Sequence, residues 1–147
     1  YAIKVFKQRW YLLAKDKKRE TPTIYALDRI LALEETEESF VYPSDFDTEL
    51  FFKDYYGVLC STKDKAQKIV IRTYPPFTNY LRTLPIHHSQ KEVKTTPDYA
   101  DFEFYLCPTF DFRQELLSQC NEVEVLKPAK LREEMKEMIG KMMERYR

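Results

Sequence analysis

Glycine is nearly missing from this chain: Gly57 and Gly140 are the two it has among 147 residues. That argues against glycine-rich phosphate loops, whose tight turns need several close-set glycines. Net charge is missing as well, with 24 basic residues against 24 acidic ones. Any anion-binding surface must therefore come from local clustering and not from a global field. Cysteine is sparse and odd in number (Cys60, Cys107 and Cys120), and no CxxC pair is present. Such thiols read as small hydrophobes in a reduced, cytoplasmic protein, not as a disulfide framework. No apolar run approaches the roughly 20 residues of a membrane-spanning helix, and no signal peptide opens the chain. It begins on Tyr1, already in strand-like sequence, as expected of a fragment of a longer protein.

Hydrophobic residues make up 44% and aromatic residues 15%, enough for a folded core. Residues 2–14 read as one strand with a bend near Gln8, and the charged stretch 15–20 as a polar turn. Thr23 to Leu31 reads as a second strand, completing a hairpin. Alternation in the first strand sets Trp10 and Leu12 on one face, read as core, and Arg9, Tyr11 and Leu13 on the other. The polar face leaves two uses open: a ligand surface, or a core edge carrying a solvated charge. Along the second strand Tyr25, Leu27 and Arg29 share a face. Glu34 to Glu38 reads as a solvated connector. Ser44 and Asp47 give a capping-box-like start to a helix bearing Phe46, Leu50, Phe51 and Tyr55, which Gly57 stops.

Composition turns small and polar over residues 61–65, where a domain boundary is expected. Residues 1–60 then form a first unit and residues 66–147 a second. The second reads as strand 68–73, helix 77–84, strand 86–93, strand 102–107, helix 110–119, strand 123–126 and helix 129–146. The core βαββαβ order is that of a split-βαβ, ferredoxin-like unit. Pro75-Pro76, Pro108 and Pro128 stand where strands hand over to helices. Leu131, Met135, Met138, Ile139 and Met142 give the last helix one apolar face.

The candidate chemistry is thin. His87 and His88 are adjacent, and neighbours on a strand point to opposite faces, so no shared metal is expected. A hydrolase built on His87, His88 or Ser89 lacks a nucleophile elbow or oxyanion loop, and no cofactor fingerprint is present. The expectation is a non-enzyme. The first 20 residues, by contrast, interleave cations and rings: Lys4, Phe6, Lys7, Arg9, Trp10 and Tyr11, with Tyr25 and Arg29 across the hairpin. Bases stack on such rings while Arg and Lys meet phosphates, so a platform for single-stranded nucleic acid or a nucleotide is the sharper reading. A protein-interaction and dimerisation module without a ligand is the alternative.

Arg9-Trp10-Tyr11-Leu12-Leu13-Ala14, followed by Tyr25-Ala26-Leu27-Asp28-Arg29-Ile30, resembles the WYL domain family. Phe51 to Val58 is similar to the helix that follows that family's barrel. Leu84 to Gln90 and Val123 to Pro128 resemble its C-terminal extension, WCX. The resemblance implies an α+β protein, with a small Sm- or SH3-like β-barrel followed by a ferredoxin-like antiparallel sheet with helices on one face. It implies the ligand-sensing, homodimerising part of a bacterial transcriptional regulator that meets operator DNA through an N-terminal winged helix-turn-helix. By motif position it makes Tyr11 and Arg29 the ligand residues; Arg9 and Tyr25 join them from the strand faces. The family's opening barrel strands are not in this sequence, so the expected barrel is incomplete, with an edge open to another chain.

Overall fold

The computed structural model describes every residue except Lys17, Glu20 and Thr62. Its first element corrects the reading of residues 2–14. They form two strands, β1 (Ala2–Phe6) and β2 (Arg9–Ala14), paired antiparallel with Phe6 opposite Arg9 and Ala2 opposite Leu13. Lys7 (φ 47°) and Gln8 (φ 65°) both sit in the left-handed region, the geometry that lets a two-residue turn follow strand twist. The usual Asn-Gly signal is absent there, which is why the sequence reads as continuous. β3 (Thr23–Ala26) pairs with β2, Tyr11 opposite Ala26 and Leu13 opposite Ile24. It stops five residues short of the expected end at Leu31, because Leu27–Arg29 turn as a 3-10 helix.

The expected alternation within β2 holds, but the core lies on the other face from the one expected. Leu13 is buried at 1% exposure, whereas Trp10 is 58% exposed. Ala2, Lys4, Phe6, Tyr11 and Leu13 share the inner face; Ile3, Val5, Trp10, Leu12 and Tyr25 share the outer one. The expected barrel is not seen: among the described residues these three strands form an open sheet in the order β1-β2-β3.

Residues 30–46 run without regular structure. The following helix, α1 (Thr48–Phe52), is shorter than expected. Its N-cap is Asp47, whose carboxylate accepts the Leu50 N–H at 3.0 Å, so the capping role falls to the later of the two anticipated residues.

The second unit follows its expected order: β4 (Gln67–Thr73), α2 (Phe77–Thr83), β5 (Lys91–Thr95), β6 (Ala100–Leu106), α3 (Phe110–Ser118), β7 (Val123–Lys127) and α4 (Ala129–Glu144). The sheet runs β5-β6-β4-β7, antiparallel throughout, the split-βαβ arrangement. The expected strand 86–93 is displaced, since residues 86–90 form a turn and β5 begins at Lys91.

Alternation fixes the layers. Ile69 and Ile71 of β4, Ala100, Phe102, Phe104 and Leu106 of β6, and Val125 of β7 meet Phe77, Leu81, Phe112, Leu116, Leu131 and Met135 of the helices in one buried cluster. Each large side chain buried there contributes about 1.5–3 kcal/mol. The opposite sheet face carries charge in register: Lys94, Asp101, Arg72 and Glu124 stand side by side across four strands. Arg72 grips Asp101 through two bonds of 2.8 and 3.0 Å and lies 3.8 Å over the Tyr99 ring. Opposite charges alternate along this row, so it reads as a self-neutralised face.

Candidate ligand-binding surface and its junction

The four anticipated site residues do not converge on one spot. Arg9 lies at the exposed hairpin end of the inner face, its guanidinium 3.4 Å from Asp28. Both side chains are about half exposed, so the pair is worth under about 1 kcal/mol. Asp28 and Arg29 belong to the turn that ends β3, and Arg29 is exposed. Tyr11 is half-buried on the same face as Arg9, opposite Lys4 and Ala26. Tyr25 is elsewhere, on the outer face opposite Leu12. The structure thus brings Arg9, Tyr11 and the Asp28-Arg29 turn to one end of the sheet and separates Tyr25 from them.

Sequence reasoning missed the use made of residues 53–59. This short stretch is bonded to both units. From the N-terminal sheet, Lys4 Nζ donates to the Gly57 carbonyl at 2.8 Å and lies 3.9 Å over the Phe52 ring. Burial lowers the Lys4 ammonium pKa below its usual value. Phe6 meets Tyr56 edge-on at 5.5 Å. Lys7 reaches across to Glu115 of α3 at 3.0 Å, and Tyr56 donates to the same carboxylate at 2.6 Å.

From the second unit, the Cys107 N–H donates to the Asp54 carbonyl at 2.8 Å. One carboxylate oxygen of Asp111 accepts the Val58 and Leu59 amides, each at 2.8 Å. Such charge-assisted bonds are the strong ones. Gly57 is needed for this approach, not as a helix stop: a Cβ there would lie 2.5 Å from both Cβ and Cγ of Asp111, and closer still to Oδ2.

His87 and His88 complete the junction, and here the sequence premise fails. Both stand in a turn rather than on a strand, their rings 4.3 Å apart. Each sets its Nε2 on one acceptor, the Lys53 carbonyl, at 3.0 and 2.7 Å. Nδ1 of His87 lies 2.7 Å from Ser89 Oγ, which accepts the Tyr105 N–H and also reaches the Tyr105 carbonyl. Ser89 is therefore a strap between a turn and a strand, an arrangement that does not free it as a nucleophile. No group of three or more His, Cys, Asp or Glu able to hold a metal occurs among the described residues. Burial pushes the half-buried Cys60 thiol up to about 12 and raises that of Cys107 too, so both are thiols, not thiolates, at neutral pH.

Burial first, then the neighbouring His88, lowers the His87 pKa from the ordinary imidazole value. The unfolded chain therefore binds this proton more readily than the native state. The contribution is fully present above the unfolded value of about 6.5 and is lost as pH falls below it. Urea titrations at pH 7 and pH 5 should show the stability loss, and His87→Gln should reduce it. An unchanged loss in the variant would remove His87 from the account.

The architecture is an open three-strand sheet stitched through residues 53–59 to a split-βαβ unit. Residues 65–143 match the WCX domain family model, more than half of the chain, and residues 1–35 match the WYL domain model. The chain belongs to the WCX domain family, with a WYL domain match ahead of the WCX segment. WYL domains are found in transcriptional regulators and are thought to sense ligands. No curated protein matches the chain. No helix among the described residues is long and apolar enough to cross a membrane.

Proposed function

We propose that this chain is the ligand-sensing and dimerising part of a bacterial transcriptional regulator, acting in the cytoplasm without catalysis. Its ligand is single-stranded nucleic acid or a nucleotide, bound at the Arg9, Tyr11 and Arg29 end of the N-terminal sheet, with Tyr25 contributing from the outer face. It controls operator contact by a helix-turn-helix domain lying N-terminal to it.

The observation that carries this reading is the junction. The inner face that bears Arg9 and Tyr11 also bears Lys4 and Phe6, which bind Gly57 and Tyr56 directly. A ligand that displaces Asp28 from Arg9 therefore acts on a strand pair bonded to the second unit. Two dimer arrangements with different ligand affinities then shift in population.

Tyr11→Ala and Arg29→Ala are each expected to weaken binding of a short single-stranded oligonucleotide. Loss of a stacked base corresponds to roughly 1–3 kcal/mol, and added salt should weaken binding further. Fluorescence anisotropy reads both effects. Folded variants that bind like the parent would overturn the assignment.

A second reading rests on the outer face, where Ile3, Val5 and Trp10 are all more than half exposed. Such a contiguous apolar surface marks a protein contact, and on this reading the module only interacts and dimerises. Sedimentation with and without oligonucleotide separates the two, since a salt-insensitive dimer indifferent to nucleic acid favours the second.

A further inference from the structure

A cavity of about 560 Å³ lies away from the N-terminal sheet surface, between residues 59–67, the turn entering α3 and the first turn of α4. It is lined by Lys63, Lys65, Arg113 and Lys130, against Asp64 and Glu134. Glu134 is already taken by Arg113 at 2.6 Å. No ion pair joins the three lysines to any described residue. In a chain of zero net charge, this is a local positive concentration, the kind that draws an anion.

Thr109 and Arg113 are both among the residues that line the cavity. Thr109 holds the N-cap position of α3 but makes no side-chain cap bond, and its Oγ1 is shielded from water without a partner. Arg113 Nε is likewise shielded and unpartnered. The carboxylate in the first turn of α3, Asp111, is bonded instead to Val58 and Leu59. α4 starts after Pro128 with no side-chain cap and no acidic residue in its first turn.

We propose that this cavity binds the phosphate group of a small phosphorylated molecule. Lys63, Lys65 and Lys130 supply the charge, and α3 begins at the same cavity without a side-chain cap. A phosphate monoester suits this set better than a carboxylate because it offers three acceptor oxygens and up to two charges. The volume lies in the range of small-molecule sites, so it leaves room for the body of the ligand. The inference does not depend on the nucleic-acid reading of the N-terminal sheet.

Titrating isotope-labelled whole chain with inorganic phosphate, and separately with ribose 5-phosphate, at constant ionic strength against chloride tests it. Saturable shifts are expected at the amides of residues 110–113 and 129–131, with ribose 5-phosphate binding more tightly than phosphate. Lys130→Ala, and Lys63→Ala with Lys65→Ala, should each weaken binding about tenfold. Lys141→Ala, near the far end of α4, should leave it unchanged. Equal shifts with chloride, or shifts indifferent to the lysine variants, would overturn the proposal. So would a 5′-phosphorylated oligonucleotide that moves these amides when ribose 5-phosphate does not.

Discussion

Phe112→Ala is expected to cost about 3–5 kcal/mol of folding stability. Phe112 has no exposed surface. Its ring meets Tyr56 at 6.1 Å and Phe104 at 5.8 Å, both edge-on or nearly so. Tyr56 in turn meets Phe6 at 5.5 Å. Four rings thus run from the N-terminal sheet, through the junction, to the middle of the four-strand sheet. Removing the third leaves a cavity in the buried cluster of the second unit, on the side against which Tyr56 packs. For a chain of this size the loss corresponds to a fall in Tm of roughly 10 °C. Phe112→Leu, which keeps most of the volume, should cost under about half as much. Chemical denaturation followed by both far-ultraviolet dichroism and Trp10 fluorescence measures it. Trp10 reports on the N-terminal sheet alone, so its transition should separate from the global one if the ring chain is what couples the units. Coincident, parent-like transitions would show that it is not.

The second large effect lies one turn away. Gly57→Ala should destabilise by about 1–3 kcal/mol, the range for forcing a group into a packed site. The new methyl would collide with the Asp111 side chain near its backbone, where little can give. Asp111→Ala should also destabilise, by about 2–4 kcal/mol, because the Val58 and Leu59 amides lose their acceptor. The two changes are not independent. Removing the Asp111 carboxylate also removes what the methyl strikes, so the double variant should lose less than the sum, by about 0.5–3 kcal/mol. A double-mutant cycle by urea denaturation gives the coupling directly. Additive losses would mean that the methyl strikes something other than the Asp111 side chain.

Much of the second unit was legible because its signals are local. Ile69 and Ile71 alternate with charged or half-buried neighbours, and Phe102 and Phe104 do the same. Prolines mark the helix entries, and hydrophobic period separates strand from helix. The element order followed, and with it the antiparallel four-strand sheet. The first unit was harder to read. A hairpin turn made of Lys7 and Gln8 carries no glycine or asparagine to announce it, and alternation within β2 does not say which of its two faces is the core. Trp10 moved from the expected core to the surface, and Leu13 moved inward. The expected barrel became an open sheet, and the four-residue ligand set was divided between two faces.

By itself, then, the sequence determined composition, the split-βαβ order and the Trp-Tyr-Leu run inside the WYL domain match, since each is written in residues close together. Tertiary structure alone decided what residues 53–59 do. Their partners (Lys4, Glu115, Asp111, Cys107, His87 and His88) lie tens of residues away in both directions, and no local pattern encodes such pairings. It also decided the place of His87. On a strand its ring would point away from that of His88, but in a turn both rings meet one carbonyl, and burial there makes the junction sensitive to acid.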